Sequence, residues 1–512
     1  MSFRIRHKKC DEGRPSCGEC IRARKVCQGY IHPPDRRTRA GRMGQRTVVI
    51  WGPKEATSDG RSSARSSRPL TLLVEGTQVD LSPTERWYFN LFRQSTSTQC
   101  AGYSEDPFWQ RLVHQVAAAQ PAVRHATVAM SALHWRFVQG KGVQNDTFAL
   151  RQCNKAISEL RNQILARDQS SPLHTEAVLV TCIVLVALAL LQGDAHAVDC
   201  HLRAGYALLN EWLKTSPKSA AVPLLVQTFA QLHLHWASFT NLKGYMGDNY
   251  ETLPRMLTDS FTRFAGPVDD RRKGSMSLAL RGWMLILKNS HVLAFDTISQ
   301  LDDETRFPTV DNLRRWKNEL RGFTMLHGPS MSQRDSSGLL LLNFWAEFIP
   351  IMITVASKAL PLHRQQMEYD KFLPNFRRVL QLGELFMKSF TSSPAPVFSI
   401  KTGIISTFFM CGIKCRDPAV RQNVLRVLRT YERREGIWKS SQAARILQRV
   451  FEIESQGVRP GDVIPASARI NMMKLDLLPD ESKIHLQYHR FRDSELPKDA
   501  SDGTWDEEWL SF

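Results

Sequence analysis

Four cysteines near the start of the chain, Cys10, Cys17, Cys20 and Cys27, combine residue type and spacing in a way that does chemistry. They run C-x6-C-x2-C-x6-C and are four of ten cysteines in 512 residues. Four thiolates close a tetrahedral zinc site, and sites of that kind are structural rather than catalytic. The Cys17-x2-Cys20 pair lets one tight loop place two sulfurs on one ion, and the six-residue spacings set Cys10 and Cys27 one short helix or turn away. A segment this small cannot build an apolar core, so metal binding itself supplies its folding energy. Arg4, Arg6, His7, Lys8 and Lys9 precede Cys10, and Arg22, Arg24 and Lys25 lie between Cys20 and Cys27. Cationic side chains around a metal-pinned helix end suit phosphate contact and entry into a DNA groove.

The rest of the chain must carry this segment. Net charge is +18, which favours an acidic partner such as nucleic acid. Half of it lies in residues 1–46, where thirteen Lys/Arg stand against four acidic residues. The first thirty residues lack the apolar core of a secretory signal, so the clustered cysteines read as metal ligands in a reducing compartment. Residues 30–80 read as a basic flexible linker, because their Arg/Ser/Gly/Pro composition buries too little apolar surface to order itself. From about residue 81 a helical body is expected to run to 490. Ser82-Pro83-Thr84-Glu85 has the N-cap Ser, first-turn Pro and N3 Glu of a capping box. Helical spacing of apolar residues recurs to about residue 455, including a stretch at 277–287, and runs that alternate with a period of two are few. The expected fold class is therefore all-α. The fifteen-residue apolar run at 177–191 falls short of the ~20 residues that span a bilayer. It and the interrupted run at 338–356 read as central helices of a soluble domain, with no membrane partner. The tail, 491–512, has seven acidic residues against two basic and ends on Trp505, Trp509 and Phe512. That mixture fits a disordered activation segment, or a terminal segment that packs a Trp on the body.

The stretch 4–30 resembles the binuclear zinc cluster of fungal transcription factors. That module reads C-x2-C-x6-C, a proline-containing loop, then C-x2-C-x6-C, with six cysteines holding two zinc ions and the first and fourth bridging. Cys10 matches its third cysteine, Cys17, Cys20 and Cys27 match the fourth to sixth, and Pro15 matches the loop proline. The resemblance implies that Arg6 and His7 read a CGG-type triplet in double-stranded DNA. It makes Lys9, Arg22, Arg24 and Lys25 phosphate contacts or their neighbours, with Arg4 and Lys8 completing the DNA-binding basic run before Cys10. Phe3 stands where the second cysteine is expected, and the first would lie before Met1. Four thiolates support one zinc rather than two. The expectation is that the missing pair lies upstream, lost to a misplaced start or missed exon, with a degenerate paralogue as the alternative. In the body, Asp106-Pro107-Phe108-Trp109, residues 121–134, Leu190 to Asp194 with His201 and Gly205, and Arg434 to Trp438 resemble segments of the fungal-specific regulatory domain. Read from the residues alone, these are caps, turns and packing positions.

Enzyme chemistry finds little support. Cys411-x3-Cys415 is not the redox C-x2-C, His233 and His235 have no third ligand at metal spacing, and no G-x-S-x-G or H-E-x-x-H occurs. Two function classes remain. One is a nuclear, zinc-dependent, sequence-specific regulator of RNA polymerase II transcription, with a module at 1–29 and a body that contacts co-regulators or the transcription machinery. The other is a helical interaction protein whose cluster no longer binds DNA. A helical enzyme or ligand-binding protein with a basic tail is a third, weaker class.

Overall fold

The structure is a computed structural model and describes residues 81–102, 106–140, 146–165, 172–215, 217–243, 303–331, 333–355, 362–389, 396–401, 403–459, 461–478, 483–490 and 504–511. Contacts divide the chain into two units, Met1–Thr77 and Gln78–Phe512. All described residues fall in the second. The cysteine segment, the linker and the helix expected at 277–287 lie outside them.

The body opens with α1 (Pro83–Leu91), capped as its sequence requires: Ser82 Oγ accepts from Glu85 N and the Glu85 carboxylate accepts from Ser82 N. A π-turn (Phe92–Thr96) leads into α2 (Ser97–Ala101), and a second (Phe108–Leu112) leads into α3 (Val113–Ala119). Then come α4 (Pro121–Val138), α5 (Thr147–Leu165), α6 (Pro172–Gln192), α7 (Ala195–Lys214) and α8 (Val222–Lys243). Helix α6 is the centre of this half, with every residue from 176 to 191 buried. Burying a Val, Leu or Ile side chain is worth roughly 1.5–3 kcal/mol, so a helix apolar all round is stable only inside. It packs on α4 and α7, and Gly205 of α7 permits a close approach to α8: a Cβ there would stand 2.6 Å from the Phe229 ring.

The second half holds α9 (Asp303–His327), α10 (Gln333–Val355), α11 (Leu362–Glu368) and α12 (Leu373–Lys388). After β1 (Val397–Ser399) come α13 (Ile405–Lys414), α14 (Pro418–Thr430), β2 (Arg433–Glu435), β3 (Trp438–Lys439) and α15 (Ser440–Glu454). By length and apolarity α6 and α10 each hold a membrane-span window. Those windows are 89% and 67% buried within the body, as core helices are.

The body is predominantly helical, as expected, but holds two three-stranded sheets. One is β1-β2-β3, with β1 parallel to β2 and β2 antiparallel to β3. The other is antiparallel β4 (Met472–Leu478), β5 (Lys483–Arg490) and β6 (Thr504–Ser511). Ile484, Leu486 and Tyr488 alternate along β5 and are buried, which is the period-two signal of a half-covered strand. Strand β6 takes in eight residues of the acidic–aromatic tail. Its Leu510 is buried, while Trp505 and Trp509 lie on the opposite face, where Trp509 stacks on His485 at 4.4 Å. Glu508 reaches Arg449 of α15 at 2.9 Å. Cross-strand pairing thus orders a segment whose composition alone suggests disorder.

Candidate functional site

All twelve residues singled out for zinc or DNA contact fall outside the described residues: Cys10, Cys17, Cys20 and Cys27, and Arg4, Arg6, His7, Lys8, Lys9, Arg22, Arg24 and Lys25. Among the described residues no group of three or more His, Cys, Asp or Glu is placed to hold a metal ion. The described body instead builds two buried polar centres, and the segments resembling the regulatory domain meet in the first.

That first centre surrounds β1-β2-β3. Asp106 caps the second π-turn through Phe108 N at 3.0 Å and pairs with Lys401 at 2.9 Å, just beyond β1. Gln99 Oε1 accepts from Phe398 N of β1 at 3.0 Å and lies 3.1 Å from His134 Nε2. A backbone N–H only donates, so the amide oxygen is the atom presented, and His134 Nε2 must carry the proton. His134 Nδ1 then accepts from Thr96 Oγ1 at 2.9 Å. Burial lowers the His134 pKa to about 4, so the ring is neutral.

Strand β2 makes the longest ties. Arg433 Nε bonds Glu435 Oε1 at 2.7 Å, and Glu435 Oε2 accepts from Ile405 N at the start of α13 at 2.9 Å. Arg434 reaches Leu190 O at 2.8 Å and Gly436 O at 3.0 Å. Leu190 lies in the last turn of α6, where carbonyls lack helical partners and the helix dipole favours a cation. Burial still lowers the Arg434 pKa to about 9. Gly436, at φ +54°, turns the chain so that Ile437 N donates to His235 Nε2 at 3.3 Å; a Cβ there would stand 1.9 Å from that nitrogen. Burial holds His235 neutral, with its pKa lowered to about 4. Arg434 to Trp438, read from sequence as turn and packing residues, thus tie α6, α8, β1 and α13 together. Each polar group is already partnered by protein, which suits a joint rather than a reaction.

The second centre lies where α13, α14 and α15 meet β4. Glu454, wholly buried, accepts from Arg416 at 3.0 Å, from Arg421, and from Ile470 N at 2.8 Å. Burial pushes its carboxyl up, but Arg416 and Arg421 outweigh that and hold it below the ordinary value. Among the described residues Lys414 Nζ reaches only Gln366 Oε1, at 3.4 Å, and faces the Tyr369 ring. Burial first, and Arg416 second, lower its pKa to about 7. Arg469 is bidentate on Asp370 at 2.6 and 3.0 Å. Sequence reading placed none of these residues at a site. The interleaved Val420, Val424, Leu425 and Leu428 were the available signal that α14 turns one face inward. Cys411 and Cys415 are free and buried beside this centre, as core packing requires.

Comparison with known proteins addresses both units. Residues 4–37 match the family described as the fungal Zn(2)-Cys(6) binuclear cluster domain, and residues 88–332 match the fungal specific transcription factor domain. The aspercryptin biosynthesis cluster-specific transcription regulator atnN of Emericella nidulans is 22% identical, across 92% of this chain and 90% of that protein. Transcription regulator lscL of Purpureocillium lilacinum is 23% identical, across 46% of this chain and 54% of that protein. No solved structure matches. A zinc-cluster match at the cysteine segment, a regulatory-domain match over the helical body and two transcription regulators as relatives agree. The chain belongs to the fungal zinc-cluster transcription factors and is a zinc-dependent, DNA-binding regulator of transcription.

Proposed function

We propose that this protein is a nuclear, pathway-specific regulator that controls RNA polymerase II transcription of a biosynthetic gene cluster. Cys10, Cys17, Cys20 and Cys27 hold zinc, and Arg6 and His7 read a CGG-type triplet. Arg4, Lys8, Lys9, Arg22, Arg24 and Lys25 meet phosphates. The module spans 1–29, the linker 30–80, the body 81–490 and the tail 491–512. The body contacts co-regulators or the transcription machinery and performs no catalysis of its own. The observation that carries this reading is the C-x6-C-x2-C-x6-C run with basic residues in its gaps, inside the zinc-cluster match. The printed role of the Emericella nidulans relative supports the biosynthetic class of target.

Zinc, when bound, supplies the folding energy of the module. Four thiolates fit one closed tetrahedral site, and this chain's own donor set goes no further. The second reading, a body that acts through protein contacts alone, is favoured by Phe3 at the position of the expected second cysteine. Selection from a random duplex pool, with metal content measured on the same sample, separates the two. The proposal expects a zinc-loaded chain and enrichment of CGG triplets. A zinc-free chain that enriches no sequence leaves the second reading.

A further inference from the structure

Between the two π-turns lies a surface cleft of about 500 Å³, lined by Asn90, Arg93, Gln94, Gln110 and His114. That volume lies within the roughly 300–1,000 Å³ typical of small-molecule sites. Its lining is unusual for such a site, because every residue is polar. π-turns are rare and concentrate at functional positions, since the extra residue re-aims side chains that a regular helix would point elsewhere. Here two of them border one cleft. In the first, Phe92 and Thr96 are buried while Arg93 and Gln94 stay exposed. In the second, Phe108, Trp109 and Leu112 are buried while Gln110 is half-buried at the cleft.

The donors are uncommitted in a way the buried centres are not. The Arg93 guanidinium makes no hydrogen bond or ion pair among the described residues. Gln110 accepts from Asp106 N through Oε1 at 3.3 Å, which leaves its NH2 end to donate. His114 Nε2 is held by Ser97 Oγ at 3.1 Å, and its buried Nδ1 has no partner among the described residues. A guanidinium beside several amide donors, with no carboxylate lining the cleft, selects negative charge.

We propose that this cleft binds a small oxyanion, a metabolite bearing a carboxylate or phosphate, with Arg93 meeting its charge and Asn90, Gln94 and Gln110 its oxygens. The body would thereby sense a metabolite independently of how the cysteine segment meets DNA.

Titration calorimetry on the full chain tests this, using inorganic phosphate and citrate as separate probes at fixed ionic strength. Three proteins are compared: wild type, Arg93→Gln, and Arg314→Gln, which removes one exposed charge from α9 as a control for the net positive field. Arg93 is exposed, so its replacement leaves the core intact. The proposal expects at least one probe to bind wild type and Arg314→Gln alike, and Arg93→Gln at least about tenfold more weakly, as loss of a charge-assisted contact predicts. Which probe binds distinguishes a carboxylate from a phosphate ligand. Equal affinity for all three proteins, or no binding of either probe, overturns it.

Discussion

Two stretches of this chain carry the same charge and use it in opposite ways. Residues 4–27 hold eight Lys/Arg against three acidic residues, and residues 414–434 hold seven against two, so each is net +5. Composition cannot tell them apart. In the second stretch Lys414, Arg416, Arg421, Arg433 and Arg434 are at most 7% exposed, and their charge meets Glu454, Glu435, backbone carbonyls and ring faces. Arg426 and Arg429 stay outside, on Glu384 and Gln448. The first stretch has no interleaved apolar stripe of that kind and has cysteines at ligand spacing instead. A net charge of +18 therefore overstates what a nucleic acid meets. The pattern between the charges separates a partner-facing segment from a buried joint.

The contrast can be broken from either side. Cys17→Ser removes one of the four proposed zinc ligands. Structural zinc is worth on the order of 10–16 kcal/mol to such a module, so zinc content and selective DNA binding should both be lost while the thermal melt of the body stays put. A body melt that shifts with them would mean that the stretches are not independent. Glu454→Gln strands Arg416 and Arg421 in the interior and should cost about 3–5 kcal/mol in urea unfolding, with no change in the salt dependence of DNA binding. Lys414→Met tests the same centre by pH. The folded-state pKa is about 7 against an ordinary 10.5, so above pH 7 the unfolded chain binds the extra proton and stability rises with pH. Between pH 7 and about 8.5 the Lys414 contribution rises by roughly 1.5–2 kcal/mol, and the Cys411 and Cys415 thiols, common to both proteins, cancel from the comparison. The stability of Lys414→Met relative to wild type should fall by that amount over the same window, and a constant difference would count against a buried, charge-shifted lysine. Arg6→Ala should cost roughly 1–3 kcal/mol on the preferred sequence and little on others. Smallest is Arg24→Gln, which should weaken all sequences alike and lower the salt slope by about 1.

Local signals made much of the helical framework legible. Ser82 to Glu85 forms the expected capping box, and the apolar run at 177–191 is the buried centre of α6. What stayed hidden depends on distance along the chain. Arg434 meets Leu190 across 244 residues, and Gln99 meets Phe398 across 299. Nothing in a window of a dozen residues encodes such ties. Strands β4 to β6 were hidden for another reason: only β5 carries a clear apolar alternation, at Ile484, Leu486 and Tyr488, whereas β6 keeps its place through Leu510 and Glu508. The cysteine segment was the reverse case. Its ligand spacing is wholly local, so its chemistry could be read from 27 residues.

The central claim is that this local pattern makes a zinc-dependent reader of DNA sequence. Fluorescence anisotropy of the full chain, on a CGG-containing duplex and a scrambled duplex of equal length at moderate salt, before and after zinc chelation, tests it most directly. The account predicts tighter binding to the CGG duplex and loss of that preference on chelation, with a weaker, salt-sensitive affinity remaining for both. Equal affinity for the two duplexes with zinc present, or a preference that chelation leaves unchanged, would contradict it.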